Sequence, residues 1–438
     1  MLYKLVEESI ALCRFAYRIR DIGEGRVNNL RKQRRVLLVL IVITMLAAGV
    51  SNSILGRAGA NESKFSDLRT ALEVAALIKT QYVDPVSIAD LLRSYVAQGT
   101  INGMLKILDD PYTRYLEPYA YKQMQVDTTG IYGGIGIVVG IRDEKLTIVA
   151  PIEETPGFHA GLRGGDVIEF IDGKPTKNMS QDEAVSYMRG EPGAKVLLGI
   201  RKKSGEFQEV PIIREVIEVR SVTKQILFDD GVGYIRLSSF SERSYQELDE
   251  ALTSLERQGM SSLILDLRGN PGGLLTAAID VANRFIERGP ILHVVGRNGV
   301  TQTVEAFPQD KVTHYPMVVM VDGFSASASE IVSGALKDTG IATLIGSQTF
   351  GKGLVQTVIP LRDGSAVSLT TARYQTAGGH DIHAVGIQPD VIVELPEGEE
   401  PPYYTSDVEG GNGVDVSQDI QLQGALELLQ RPKLRKAS

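Results

Sequence analysis

Val321-Asp322-Gly323-Phe324-Ser325-Ala326-Ser327-Ala328-Ser329-Glu330-Ile331-Val332-Ser333-Gly334-Ala335-Leu336-Lys337-Asp338 joins the end of an apolar run, MVVMVDG, to a helix-forming segment expected over Ala326 to Lys337. Small residues therefore open a helix directly after a buried strand. A nucleophile at that junction sits on an exposed turn, where the first amides and the dipole of the helix favour an oxyanion. Further on, Gly346-Ser347-Gln348-Thr349-Phe350-Gly351-Lys352-Gly353-Leu354-Val355-Gln356-Thr357 places a lysine between two glycines in a loop flanked by apolar strands. Burial disfavours the charged form of lysine, and only the neutral amine can take a proton from a serine. Gln356, four positions on, carries an amide that could orient that amine.

A serine nucleophile is more often served by histidine. The five histidines, His159, His293, His314, His380 and His383, sit in no recognisable His-Asp-Ser order, and neither G-N-S-G-G nor G-x-S-x-G occurs. They read as surface or structural histidines. Upstream, the run SLILDLRG leads into Asn270-Pro271-Gly272-Gly273 and then a helical stretch, Leu274 to Glu287, so strands and helices alternate as in α/β folds. The glycines of that loop can bring backbone amides close to a substrate.

Between about Val126 and Arg214 the texture is β: GGIGIVVG, LTIVAPI, VIEFIDG and KVLLGIRKKSG are short runs rich in β-branched residues and broken by glycine. Within them, Pro156-Gly157-Phe158-His159-Ala160-Gly161-Leu162-Arg163-Gly164-Gly165-Asp166-Val167-Ile168, followed by Ile171-Asp172-Gly173, resembles the signature of PDZ domains. Such a module captures an extended peptide by strand addition and binds its terminal carboxylate with loop amides. The resemblance puts that loop at Gly134-Ile135-Gly136-Ile137 and the far wall of the groove at the helix Gln181 to Met188. Arg189, in Met-Arg-Gly, is the candidate link from peptide binding to the remainder of the chain, with a solvated arginine as the other reading.

The motifs S-A-S-A-S-E-I-V-x-G-A-L-x-D and T-F-G-K-G-x-V-Q together resemble the carboxyl-terminal processing, or tail-specific, protease family, from roughly Phe65 to Leu395. The resemblance implies a Ser327 nucleophile, a Lys352 base 25 residues further on, and Gln356 positioning that base. It further implies an oxyanion hole from Ala328 and one glycine of the Asn270 loop, Gly273 in preference to Gly272. Ser325 and Ser329 are the rival nucleophiles. Glu330 and Asp338 match acidic positions of the motif and are expected to be structural, while Phe324 stands where a smaller or hydroxylated residue is usual. The implied fold is multidomain α/β: a crotonase-like core over 215–395, a PDZ domain over 125–214 and a helical region over 61–124. The implied substrates are proteins with exposed C-terminal tails. No metal or organic cofactor is implied, and a homo-oligomer and an adaptor protein stay open as partners. The rivals from other classes are a catalytically silent PDZ scaffold that keeps this fold and an acyl-CoA-processing enzyme; no CoA-binding feature is present.

Val36 to Val50 contains one polar residue, Thr44, and follows Arg31, Lys32, Arg34 and Arg35. Extended over 36–55, this run would cover about 30 Å as a helix, enough to cross a bilayer with the basic segment 1–35 on the cytoplasmic side. The expectation is a single-pass anchor in the inner membrane with the catalytic part in the periplasm. Cleavage at Ala58-Gly59-Ala60 is the alternative. The only cysteine, Cys13, precedes this run. A net charge of −8 gives no basic footprint for nucleic acid. The acidic, Pro/Gly-rich segment from about 396 is expected to lead into a short helix, Gln421 to Leu429.

Overall fold

The computed structural model describes residues 61–142, 144–299, 301–307, 315–396 and 414–430. The basic segment 1–35, the apolar run 36–55, the Ala58-Gly59-Ala60 pattern, Cys13, His314 and most of the acidic segment lie outside these. No helix among the described residues is long and apolar enough to cross a membrane. The chain divides into two compact units, Met1–Arg69 and Thr70–Ser438, and the second holds the β-rich module and the α/β core.

Helix α1 (Asn61–Gln81) ends before Pro85. Residues 87–108 hold two helices, α2 (Ile88–Gln98) and α3 (Ile101–Leu105), because Gly99 turns left-handed at φ 72° and ends the first. Thr100 Oγ1 then accepts the Gly103 N–H at 3.0 Å and caps the second. Strand β1 (Arg114–Leu116) and helix α4 (Pro118–Thr129) complete this region. Ala71, Val74, Ala75, Ile78, Leu91 and Met104 form a cluster against Leu361, Val367 and Leu369 of the core.

Strand β2 (Ile131–Gly134) opens the β-rich module, which holds β3 (Ile137–Arg142), β4 (Lys145–Pro151), helix α5 (Pro156–His159), β5 (Val167–Ile171), β6 (Lys174–Pro175), α6 (Gln181–Met188), β7 (Lys195–Arg201) and β8 (Phe207–Ile213). Its sheet runs β3-β4-β5-β7-β8, with β6 on β5, so β3 is an edge. Ile148, Leu162, Ile168, Ile171, Ala184, Val196, Leu198 and Ile200 are fully buried in its own core. Strand β9 (Glu215–Glu218) leaves the module and pairs with β2 in an antiparallel ribbon, so both connections to the rest of the chain run side by side.

The core follows as β10 (Val222–Leu227), β11 (Val232–Leu237), α7 (Ser244–Arg257), β12 (Ser262–Asp266), α8 (Leu275–Asn283), β13 (Pro290–Gly296), β14 (Thr301–Glu305), β15 (Met317–Val321), α9 (Ala328–Asp338), β16 (Ala342–Gly346), β17 (Leu354–Pro360), β18 (Ala366–Thr376), β19 (Val391–Ile392) and α10 (Ile420–Gln430). One sheet has the order β10-β11-β12-β15-β16-β19, parallel from β11 onward; the other has β1-β18-β13-β14 with β17 on β18. Side chains alternate along β12 and β15: Leu263, Leu265, Met317 and Val319 join helices α7, α8 and α9 in the main core, while Ile264, Val318 and Met320 face Leu422, Ala425 and Leu429 of α10. Helix α8 is shorter than expected because Phe285 N–H bonds back to Ala282 O, tightening the last turn.

The α10 segment is fastened by a buried ionic cluster. Arg268, 1% exposed, donates to both carboxylate oxygens of Asp419 at 2.9 and 2.7 Å, to Gln421 Oε1 at 2.9 Å and to Asp266. Burial pushes the Asp266 carboxyl up, but Arg268 and Arg236 outweigh it and hold the pKa at about 2. Removing one partner of a buried pair leaves a desolvated charge behind. Asp419→Ala is therefore expected to lower unfolding free energy by about 2–3 kcal/mol, read as a shift of the urea midpoint.

Candidate functional site

The serine motif forms a tight turn between β15 and α9. Asp322 Oδ1 accepts the N–H groups of Gly269, Phe324 and Ser325, each at 3.0 Å, and so ties the strand end to the DLRG loop. Ser325 and Ser329 are fully buried, and their hydroxyls donate to Leu267 O and Asn270 O at 2.8 Å. Both are committed to structure. Ser327 lies between them, partly exposed, at φ 54° and ψ −112°. A residue with a Cβ held there carries of order 1–3 kcal/mol of strain, which persists only where the surroundings over-determine it. Helix α9 begins at Ala328, two residues later than the sequence suggests, because Ser327 occupies the non-helical capping position. Phe324, on the solvent side of the turn, is 57% exposed.

Glu330 supplies much of the determination. Fully buried, its Oε2 accepts Ser327 N–H at 2.9 Å and Lys352 N–H at 2.8 Å, while Oε1 accepts Thr349 Oγ1–H at 2.6 Å and Gly351 N–H at 2.7 Å. One carboxylate thus holds the serine turn and the lysine loop together, although 22 residues separate Glu330 from Lys352. Asp338, at the other end of α9, accepts Gly378 N–H at 2.7 Å.

The glycine loop packs against the same turn. Asn270 donates to Leu237 O, and its Oδ1 accepts Gly272 N–H, both at 2.8 Å; its carbonyl accepts Ala326 N–H at 3.1 Å. A Cβ on Gly272 would lie 2.9 Å from Ser327 Cβ, and one on Gly273 would lie 2.0 Å from Phe240 O at φ 145°. Only glycine fits either place. Gly272 N–H is already bonded to Asn270, whereas Gly273 N–H and Ala328 N–H have no hydrogen-bond partner among the described residues. Gly273 and Ala328 are the residues whose amides the family resemblance implies as donors.

Lys352 is partly buried, with Nζ 4.8 Å from the centroid of the Tyr112 ring. Burial pushes its pKa below the usual lysine value and the Arg114 cation pushes the same way, against Glu330 and Asp110. No hydrogen bond joins the Lys352 amine to Ser327 or to Gln356. Gln356 lies on β17, beside a register shift, and donates to Thr370 Oγ1 at 3.5 Å.

Tyr112 and Arg114 escape the sequence reading. Asp110 caps the turn that precedes β1 by accepting Tyr112 N–H at 2.9 Å and Thr113 Oγ1–H at 2.7 Å, and this delivers Tyr112 to the lysine.

In the β-rich module, Gly134 belongs to the β2–β9 ribbon and Ile137 begins the edge strand β3. Between them the N–H groups of Ile135 and Gly136 have no partner among the described residues, while Ile135 O and Gly136 O accept Gly157 and Ile152 N–H at 2.7 and 2.9 Å. The Arg189 guanidinium lies 4.3 Å from the Tyr132 ring centroid and donates to Gln123 of α4, so it spans from the end of α6 to the ribbon and the helical region.

Three family models match: peptidase family S41 over residues 231–393, a PDZ domain over 147–202, and the activating protease CtpB N-terminal domain over 46–119. The chain is 43% identical over 337 residues to a carboxyl-terminal-processing protease of Synechocystis, covering 75% of this chain and 76% of that one. It is 36% identical over 405 residues to the carboxy-terminal processing protease CtpA of Bacillus subtilis, covering 89% and 85%. Among solved structures it aligns with a photosystem II D1 C-terminal processing protease at 32% identity and a TM-score of 0.50, covering 75% of this chain and 93% of that one. With its PDZ domain and mixed α/β core, the chain belongs to the carboxyl-terminal processing proteases of peptidase family S41, which are serine peptidases.

Proposed function

We propose that this protease cleaves proteins near their C-termini with Ser327 as nucleophile and Lys352 as general base, and that residues 125–214 present the substrate tail to a catalytic core over 215–395. The observation that carries the reading is the anchoring of both main chains on Glu330 Oε2, at 2.9 and 2.8 Å, beside two unpartnered N–H groups. The neutral Lys352 amine takes the Ser327 proton as Oγ bonds to the scissile carbonyl carbon. Gly273 and Ala328 N–H receive the oxyanion. Collapse expels the amine product, which takes the proton from Lys352, and water hydrolyses the acyl-enzyme with the same base. Gln356, weakly held on Thr370, is available to orient the amine.

The tail enters as an added strand on the β3 edge, with Ile135 and Gly136 N–H receiving the terminal carboxylate and α6 forming the opposite wall. Arg189 relays that binding to the ribbon through Tyr132. The apolar run 36–55 behind its basic flank supports translocation of the catalytic part, anchored in the inner membrane or released after cleavage, with oligomerisation and an adaptor as further features of this reading.

A fluorophosphonate probe followed by peptide mapping tests the nucleophile: the adduct is expected on Ser327 alone, and an adduct on Ser325 would overturn the assignment. A substrate ending in a C-terminal amide is expected to show a KM raised about tenfold over the free acid; equal KM values would remove carboxylate capture.

A further inference from the structure

Tyr374 belongs to none of the motifs above, yet its phenol is the second group that touches both halves of the site. The residue is 1% exposed, and its ring packs in the main core with the residues of α8 and α9. Its N–H donates to Gly353 O at 3.0 Å, which fixes β18 against the lysine loop. From there the hydroxyl reaches Lys352 O at 2.7 Å and Ser327 O at 2.9 Å. The same Ser327 carbonyl also receives Glu330 and Ile331 N–H, at 2.9 and 3.0 Å.

Resting on the Ser327/Lys352 reading, we infer that the Tyr374 hydroxyl is a positioning group, holding the main chains of nucleophile and base at a fixed separation. Glu330 grips the two N–H groups, and Tyr374 grips the two carbonyls. Each residue is thereby held at both ends of its own backbone, which is what an energetically costly φ at Ser327 requires. A phenol has a single proton, so it donates to one carbonyl at a time or is shared between them. Without it, two carbonyl dipoles face each other with nothing between, and the lysine loop is free to drift from the serine turn. Burial, with the Glu330 charge acting the same way, raises the phenol's pKa well above its ordinary value, so it stays protonated wherever the base works. It aligns the pair and takes no part in proton transfer.

The test compares Tyr374→Phe with the full-length protein carrying 3,5-difluorotyrosine at position 374, using a peptide substrate and fluorophosphonate labelling. The Phe variant is expected to lose about 10- to 100-fold in kcat per titrated site, with KM within about twofold, because a misplacement near 1 Å costs on that order. The labelling rate should fall by the same factor. The fluorinated residue keeps the hydroxyl and should restore kcat at neutral pH. Its lower phenol pKa should add a loss at alkaline pH, as phenolate forms against the two carbonyl oxygens. A Phe variant that keeps kcat within twofold overturns the inference. So does a fluorinated protein as impaired as the Phe variant at neutral pH, since ring packing would then be the cause. Should the Phe variant fail to fold, the fluorinated protein decides by whether the alkaline loss occurs. An adduct mapping to another serine in the wild type identifies failure of the underlying Ser/Lys reading, and the inference falls with it.

Discussion

Lys352→Ala should lower kcat/KM by about 10²- to 10⁴-fold, the range that a positioned general base contributes. The wild-type pH profile carries the companion expectation. With Lys352 as the proposed base, only its neutral amine would accept the Ser327 proton, so kcat/KM should climb as pH rises through the folded pKa of Lys352 and fall off on the acid side. Burial, reinforced by Arg114, places that pKa below the ordinary 10.5, so the climb should occur at lower pH than for an exposed lysine. Arg114→Gln removes a neighbouring cation and should move the limb toward alkaline pH.

Stability separates this loss from unfolding. A lysine whose folded pKa is depressed binds fewer protons folded than unfolded, so its contribution to stability rises with pH between the folded value and 10.5. At neutral pH the buried ammonium is a cost. Lys352→Ala should therefore leave the urea midpoint unchanged or raise it. Near-wild-type turnover in this variant, or a rate limb unmoved by Arg114→Gln, would refute the assignment of the base.

Glu330→Gln is expected to damage the site almost as severely with a change of one atom type. The carboxylate accepts four hydrogen bonds, two on each oxygen, and three of the donors are backbone N–H groups with no alternative direction. A glutamine amide can replace one oxygen only. If its nitrogen faces Ser327 and Lys352, both N–H groups meet a donor. If it faces Thr349 and Gly351, the threonine hydroxyl can rotate but the Gly351 N–H is stranded. Leaving a buried donor unpaired in a low-dielectric network costs about 2–4 kcal/mol. Because the strained φ at Ser327 relies on that oxygen, kcat should drop by about 10²-fold as well. Chemical denaturation and steady-state kinetics on one preparation measure both. A stable, fully active Gln variant would show that the serine turn holds itself.

The extent to which the site was legible in sequence depends on where each residue's partners lie. Asp322 and Ser325 fold the turn within three residues, and the strand–turn–helix reading followed from MVVMVDG and the small residues after it. The free N–H at Ala328 follows from its place in the first turn of α9, where backbone donors lack partners in any helix. Gly273 and Gly272 differ in a finer point: the Asn270 side chain occupies the Gly272 N–H, while the Gly273 N–H has no partner among the described residues. Helix boundaries were legible only to within a few residues: α9 starts late because Ser327 is strained, and 87–108 is broken at Gly99, which also fits a continuous helix in one dimension. Gln356 is a residue whose surroundings spacing leaves open: four positions after Lys352, it lies on β17 and its amide donates to Thr370 Oγ1.

By itself the sequence determined what its local chemistry dictates. That comprises the alternation of strands and helices, the glycine-broken β module, the serine at a helix start and the lysine between two glycines. The tertiary structure alone decided what brings them together. Glu330 reaches across 22 residues to the lysine loop, Tyr374 across 47 to Ser327, and the Asp110 turn carries Tyr112 to an amine 240 positions away in the chain. The Glu330 and Tyr374 contacts are made between side chains and backbone amides or carbonyls. Every residue has such backbone groups, so they leave no signature in composition or period, and only the packing of β18, α9 and the helical region selects which ones meet.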